Sequence, residues 1–216
     1  MPIVWLIRHG ESVSNANLPT VHPEESQLTP HGELEAQYVV QAFPRKPDLI
    51  VVSPYVRARQ TAVPTITHFD PVPVVEWPVY EFTYLDPQRY DGTTGSDRAP
   101  FARAYWERND PHYKDGDGES FAELLDRVHA LTARLKAHPA DFIAVFSHGM
   151  FLRALIWFLL TGTTVATAET MRRYGRFLES VRMPNTAICK AHFSQDSDIL
   201  MSGFITSHLP AKSDTV

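Results

Sequence analysis

The chain has 216 residues, 44% hydrophobic and 21% charged, which describes one ordinary globular domain or one domain carrying an insertion. That composition excludes a disordered or fibrous protein, and a net charge of -5 excludes chain-wide attraction to nucleic acid or anionic lipid. An anionic ligand would have to be captured by a local cluster of cations.

Ile3 to Ile7 is a continuous, partly β-branched apolar run that ends at Arg8-His9-Gly10, the pattern of a strand buried on both faces of a parallel sheet. It is too short for a signal-peptide core, and Arg8 stands where a small-residue cleavage site would be needed, so no signal peptide is expected. Thr29 followed by Pro30 is a hydroxyl cap with proline at the first helical position, which predicts a helix to Phe43. Leu49 to Val52 repeats the buried-strand pattern and ends at Ser53-Pro54, where the same cap-and-proline signal predicts a helix from Pro54 to about Ile66. Five prolines from Pro64 to Pro87 argue against a long helix in that section. Asp91 to Ser96 is a loop by its turn chemistry, and a short helix is expected around Arg98 to Arg108. We read about 64–118 as an insertion lying over one end of the sheet, of the kind that shapes a substrate pocket.

Asp115 to Glu119 has the acidic spacing of a calcium loop but Ser120 where that loop requires glycine, so it reads as a turn. A helix from Ser120 to His138 then opens with a capping box, Ser120 with Glu123, and sets Phe121, Leu124, Leu125, Val128, Leu131 and Leu135 on one face. Phe142 to Phe146 is the third buried strand and ends at Ser147-His148-Gly149. Met150 to Leu160 reads as a buried helix, since it is interrupted by Arg153 and too short for a bilayer of about 30 Å. Thr186 to Phe193 and Ile199 to Ile205, around a polar Ser194 to Asp198 turn, predict a hairpin on the sheet edge. Strands alternating with helices make the fold class α/β: a three-layer α/β/α sandwich with a mainly parallel, mixed central sheet, formed by one domain over 1–216. The lone Cys189 cannot form an intrachain disulfide and reads as a small buried hydrophobe, which favours a cytoplasmic setting.

In an open α/β sheet, ligands bind beyond the carboxyl ends of the parallel strands, so the three strand ends should surround one crevice. That crevice would collect His9 and His148 with Arg8 and Arg57. The set suits phosphate, because arginine binds phosphate oxygens bidentately and helix N-termini add N–H donors. The cations would also disfavour a charged histidine and keep His9 neutral and nucleophilic.

At these residues the sequence resembles the histidine phosphatase superfamily, the phosphoglycerate mutase-like fold, from Ile3 to about Ser207. The resemblance is carried by Arg8-His9-Gly10-Glu11-Ser12 with Asn15, by Leu28-Thr29-x-x-Gly32-x-x-Glu35-Ala36, and by Ser53-Pro54-x-x-Arg57-Ala58-x-Gln60-Thr61-Ala62. Gly118-Glu119-Ser120, Ser147-His148-Gly149 and Asn185-Thr186-Ala187-Ile188 follow in the family's order. It implies His9 as the nucleophile that becomes phosphohistidine, Arg8 and Arg57 as phosphate clamps, Asn15 as a further phosphate contact and His148 as a donor to the transferring group. It also implies an acid in the segment after the second arginine. Glu81, 24 positions beyond Arg57, fits that place, with Asp86 and Glu76 as alternatives because the following Phe82-Thr83-Tyr84-Leu85-Asp86-Pro87 departs from the family's usual stretch.

Ser12 and Ser53 read first as turn and cap residues, with a direct phosphate contact as the alternative for either. Arg89, Arg98 and Arg103 lie in the insertion, where they either read the rest of the substrate or are ordinary exposed arginines. The other histidines, His22, His31, His68, His112, His129, His138, His192 and His208, show no metal-ligand spacing, so no metal and no cofactor is implied. The reading is a phosphomonoester hydrolase acting on a small phosphorylated substrate, with no nucleic-acid or membrane partner and a homodimer left open. A mutase-type phosphotransferase is the alternative, although Ala16 to Ser26 lacks the Phe-x-Gly-Trp-x-Asp segment of that branch. A non-catalytic phospho-ligand module of the same fold is the other.

Overall fold

The computed structural model describes residues 2–193 and 199–210. Strands β1 (Ile3–Arg8), β2 (Leu49–Val52), β3 (Val74–Glu76), β4 (Phe142–Ser147), β5 (Ile188–Phe193) and β6 (Ile199–Met201) form one sheet in the order β3-β2-β4-β1-β5-β6. The first four run parallel, while β5 lies antiparallel to β1 and β6 antiparallel to β5. The sheet is therefore mainly parallel and mixed, as the sequence predicts. The polar turn expected between β5 and β6 lies outside the described residues.

Uninterrupted apolar strands serve two cores because successive side chains point to opposite faces. Val4 and Leu6 of β1, Leu49 and Val51 of β2, and Ile143 and Val145 of β4 enter the larger core. Trp5 and Ile7, Ile50 and Val52, and Phe142, Ala144 and Phe146 enter the smaller one. The smaller core is covered by α1 (Pro30–Val39) and α2 (Val56–His68), and the larger by α4 (Phe121–Ala137), α5 (Gly149–Thr161) and α6 (Ala168–Ser180). These are the three layers.

Several boundaries moved. The Thr29 side chain caps α1 at Gly32 N–H, and Ser120 with Glu123 forms the capping box of α4, both as read from the sequence. Ser53 does not cap α2: that helix starts at Val56, after Tyr55, and runs through Pro64 to His68. The expected insertion therefore opens inside a helix, and β3 within it joins the sheet at its edge. Helix α3 (Gly95–Arg108) begins earlier than predicted, because Thr94 and Asp97 form a capping box inside the expected loop. Helix α6 was not foreseen; only Met171 and Tyr174 of it are buried. Among the described residues no helix is long and apolar enough to cross a membrane.

Candidate active site

In the sheet β4 lies between β2 and β1, with Arg8 in register with Ser147 and Val52 with Phe146. The residues that follow each strand, His9, Ser53 and His148, are thus gathered at one end of the sheet. His9 is 2% exposed. Its Nδ1–H donates to the Gly10 carbonyl at 2.7 Å, which leaves Nε2 with a free lone pair, and Nε2 accepts from Arg57 Nε at 3.1 Å. Burial first, then Arg57 and Arg8, holds its pKa well below the ordinary histidine value, so the ring is neutral at pH 7.

The loop after β1 is fixed by backbone proximity. A Cβ on Gly32, in the first turn of α1, would lie 2.0 Å from the Glu11 carbonyl oxygen, and one on Gly10 would lie 2.5 Å from the Gly32 oxygen. Gly10 N–H donates to Thr61 Oγ1 at 3.0 Å, and that hydroxyl donates to the Arg57 carbonyl at 2.7 Å. Thr61 thereby ties the His9 loop to the start of α2. Arg57, near the first turn of that helix, also donates to the Pro23 carbonyl at 2.7 Å.

His148 is fully buried at the cap position of α5, its ring 5.1 Å from that of His9 between centroids. Its Nε2 lies 2.7 Å from Ser53 Oγ, and that oxygen accepts from Tyr55 N–H at 3.3 Å. The serine hydroxyl can donate to a neutral Nε2, an arrangement in which the His148 proton sits on Nδ1. Burial, Arg57 and His9 keep this ring neutral as well. Its Nδ1 is buried without a partner among the described residues, and so is Nε of Arg8. Arg8 is otherwise held by donation to the Met183 carbonyl at 2.5 Å, and burial pushes its pKa down to about 10. Two orphaned buried nitrogens in one constellation, one of them always a donor, are what a bound oxyanion would satisfy.

Glu81 meets the N-terminus of α5. Its Oε1 accepts from the N–H groups of Met150, Phe151 and Phe82, each at 3.0 Å, while Oε2 has only a 3.2 Å contact to Met150 N–H. The strap before it is anchored by Arg127, which donates to the Pro78 and Tyr80 carbonyls and forms a two-pronged bridge to Glu119 at 2.6 and 2.7 Å.

A cavity of about 230 Å³ opens onto this constellation, with His9, Asn15, Arg57 and Glu81 among the residues on its wall. Arg8 and His148 are not on that wall. Asn15 Oδ1 accepts from the N–H and hydroxyl of Ser12, so both residues form one turn that also lines the cavity. The alternative acids lie elsewhere: Glu76 pairs with Arg59 at 2.5 Å, and Asp86 accepts from Gln88 N–H at 3.0 Å. Arg89 is taken up by Asp115 and Arg103 is exposed, whereas Arg98, expected among exposed arginines, is buried and lines the cavity. Sequence reasoning missed the roles of Ser53 and Thr61. Both stand in the Ser53 to Ala62 motif, which was the available signal.

The model of the histidine phosphatase superfamily, branch 1, matches residues 4–197. The chain belongs to that superfamily. As a histidine phosphatase superfamily member it is an enzyme of the phosphatase and mutase type. Its curated relatives include a probable phosphoglycerate mutase GpmB of Cronobacter sakazakii, 28% identical, with 96% of this chain and 95% of that one covered. A putative alpha-ribazole-5'-P phosphatase of Escherichia coli superposes with a TM-score of 0.74 at 25% identity, covering 95% of this chain and 96% of that one. A phosphoserine phosphatase mutant of Entamoeba histolytica, solved in complex with phosphoserine, gives 0.72 at 22% identity, covering 97% and 100%, and shows the shared fold alone.

Proposed function

We propose that this histidine phosphatase hydrolyses small phosphomonoesters through a phosphohistidine on Nε2 of His9. The observation that carries the reading is the His9 tautomer: Nδ1–H is committed to the Gly10 carbonyl, and the neutral ring offers Nε2 beside Arg57. A phosphoryl group takes the place of the Arg57 contact at Nε2. Arg8, Arg57 and Asn15 then hold its oxygens, and His148 donates from Nδ1. Nε2 attacks phosphorus and the bond to the ester oxygen breaks. Glu81 protonates that leaving oxygen from Oε2, its less occupied oxygen. In the second half Glu81 takes a proton from water, the hydroxide attacks phosphorus, and inorganic phosphate leaves with Nε2 regenerated. Charge on the equatorial oxygens is met by fixed cations and N–H donors.

The domain is read as one unit over 1–216, with the insertion at about 64–118 shaping the pocket, to whose wall it contributes Glu81 to Leu85, Tyr90, Gly95, Arg98 and Ala102. A cavity of about 230 Å³ suits a compact ester better than a phosphoprotein. The buried thiol of Cys189 fits a cytoplasmic setting.

His9→Ala should abolish release of a chromogenic alcohol from its phosphomonoester, and Glu81→Gln should lower kcat by about 10² to 10⁴. Trapped phosphoenzyme should be acid-labile and base-stable; the reverse would overturn the mechanism. The curated relatives' name favours a second reading, mutase. Incubation with 3-phosphoglycerate and a bisphosphoglycerate primer should release inorganic phosphate, and formation of 2-phosphoglycerate instead would decide for the mutase.

A further inference from the structure

Arg98 is 6% exposed, and no carboxylate among the described residues forms an ion pair with it. A buried cation without a countercharge is costly unless something else completes it. Every hydrogen bond of its side chain among the described residues comes from one nitrogen, Nη1, and goes to neutral oxygen: Thr20 Oγ1 at 3.0 Å, the Thr93 carbonyl at 2.8 Å and Thr93 Oγ1 at 2.7 Å. The guanidinium also stacks 4.3 Å from the Tyr90 ring centroid. Its sequence neighbour Asp97 is turned away into the capping box with Thr94. Nε and Nη2 have no partner among the described residues, yet they are not among the sealed, unsatisfied atoms.

Arg98 lines the same cavity as His9. The first turn of α3 and the Thr20 and Thr93 clamp hold Nη1, so the rest of the fork is oriented before any ligand arrives. The cavity wall also includes Phe82, Leu85, Ala102 and Met150, and a charge-assisted bond is stronger out of bulk water.

We infer that Arg98 binds a second oxyanion, carried on the leaving group, and so makes this enzyme prefer small phosphomonoesters with a second negative group. The inference rests on the phosphatase reading above. A carboxylate and a second phosphate both present oxygens to the guanidinium fork.

The test compares matched pairs by inorganic phosphate release: 3-phosphoglycerate against glycerol 3-phosphate, and propanediol bisphosphate against propanediol monophosphate. The doubly anionic member of at least one pair should show a kcat/KM about tenfold to a hundredfold higher. The pair that shows it identifies the anion as carboxylate or phosphate. In Arg98→Met the ratio should collapse towards one, and Arg98→Lys, which keeps charge but not the fork, should restore part of it. A wild-type ratio near one for both pairs, or a ratio unchanged in Arg98→Met, overturns the inference while leaving the phosphatase reading intact. If Arg98→Met does not fold, the wild-type ratios and Arg98→Lys decide. If no ester is hydrolysed, the phosphatase reading fails. Calorimetric binding of the same pairs to His9→Ala then judges Arg98 alone, with equal affinity overturning its role.

Discussion

Ser53 Oγ and His148 Nε2 sit 2.7 Å apart although 95 residues separate them in the chain. They follow neighbouring parallel strands. Ser53→Ala should remove the hydrogen-bond partner that orients the His148 ring. We expect kcat to fall about tenfold or more, and stability to fall by about 1–3 kcal/mol as a buried nitrogen loses its partner. Urea unfolding and steady-state kinetics on one preparation check both.

Thr61→Val keeps the side-chain shape and removes only the hydroxyl that links Gly10 N–H to the Arg57 carbonyl. The buried Gly10 N–H is then unpaired, which should cost about 1–3 kcal/mol. A midpoint in urea unchanged from wild type would show that this link carries no stability.

Gly32→Ala places a carbon 2.0 Å from the Glu11 backbone oxygen, and backbone cannot step aside as a flexible side chain can. The expected loss is about 1–3 kcal/mol or more. Activity should fall with it, because Glu11 follows His9 by two residues. Thermal unfolding beside an exposed control, Leu34→Ala, measures the difference.

Stability should depend on pH through His9 and His148. Both folded pKa values lie well below the ordinary 6.5, from burial first and Arg57 second. Below pH 6.5 the unfolded chain takes up protons that the folded rings refuse, so stability falls as pH drops from 6.5 towards the folded values. Each ring should contribute a slope of up to about 1.4 kcal/mol per pH unit. Unfolding free energies at pH 7.5 and 5.5 for wild type and His148→Asn should show a shallower loss in the variant.

The three long buried strands were legible in the sequence because a run such as Ile3 to Ile7 has few alternatives once turn residues bound it. The helix caps at Thr29 and Ser120 were legible because capping is local chemistry. Strand β3 was not: three residues at a sheet edge carry no periodic signal, and Val74 to Glu76 is a strand only because β2 pairs with it. Helix α6 was missed because its buried face is only Met171 and Tyr174. Ser53 was misread because a serine before proline is a cap signal locally, while its partner lies on another strand.

What the sequence determined by itself was the inventory: an α/β chain, three strand ends bearing His9, Arg57 and His148, and the acid candidates after Arg57. Those follow from local periodicity and from the rule that parallel strands deliver their ends to one place. The tertiary structure decided the relations among them. It put Glu81 rather than Glu76 or Asp86 on the cavity wall, fixed the His9 tautomer, and turned Arg98 from a surface arginine into a buried cation facing the same cavity. Tautomer and burial depend on partners far away in the chain, and only the packed fold brings those partners within bonding distance.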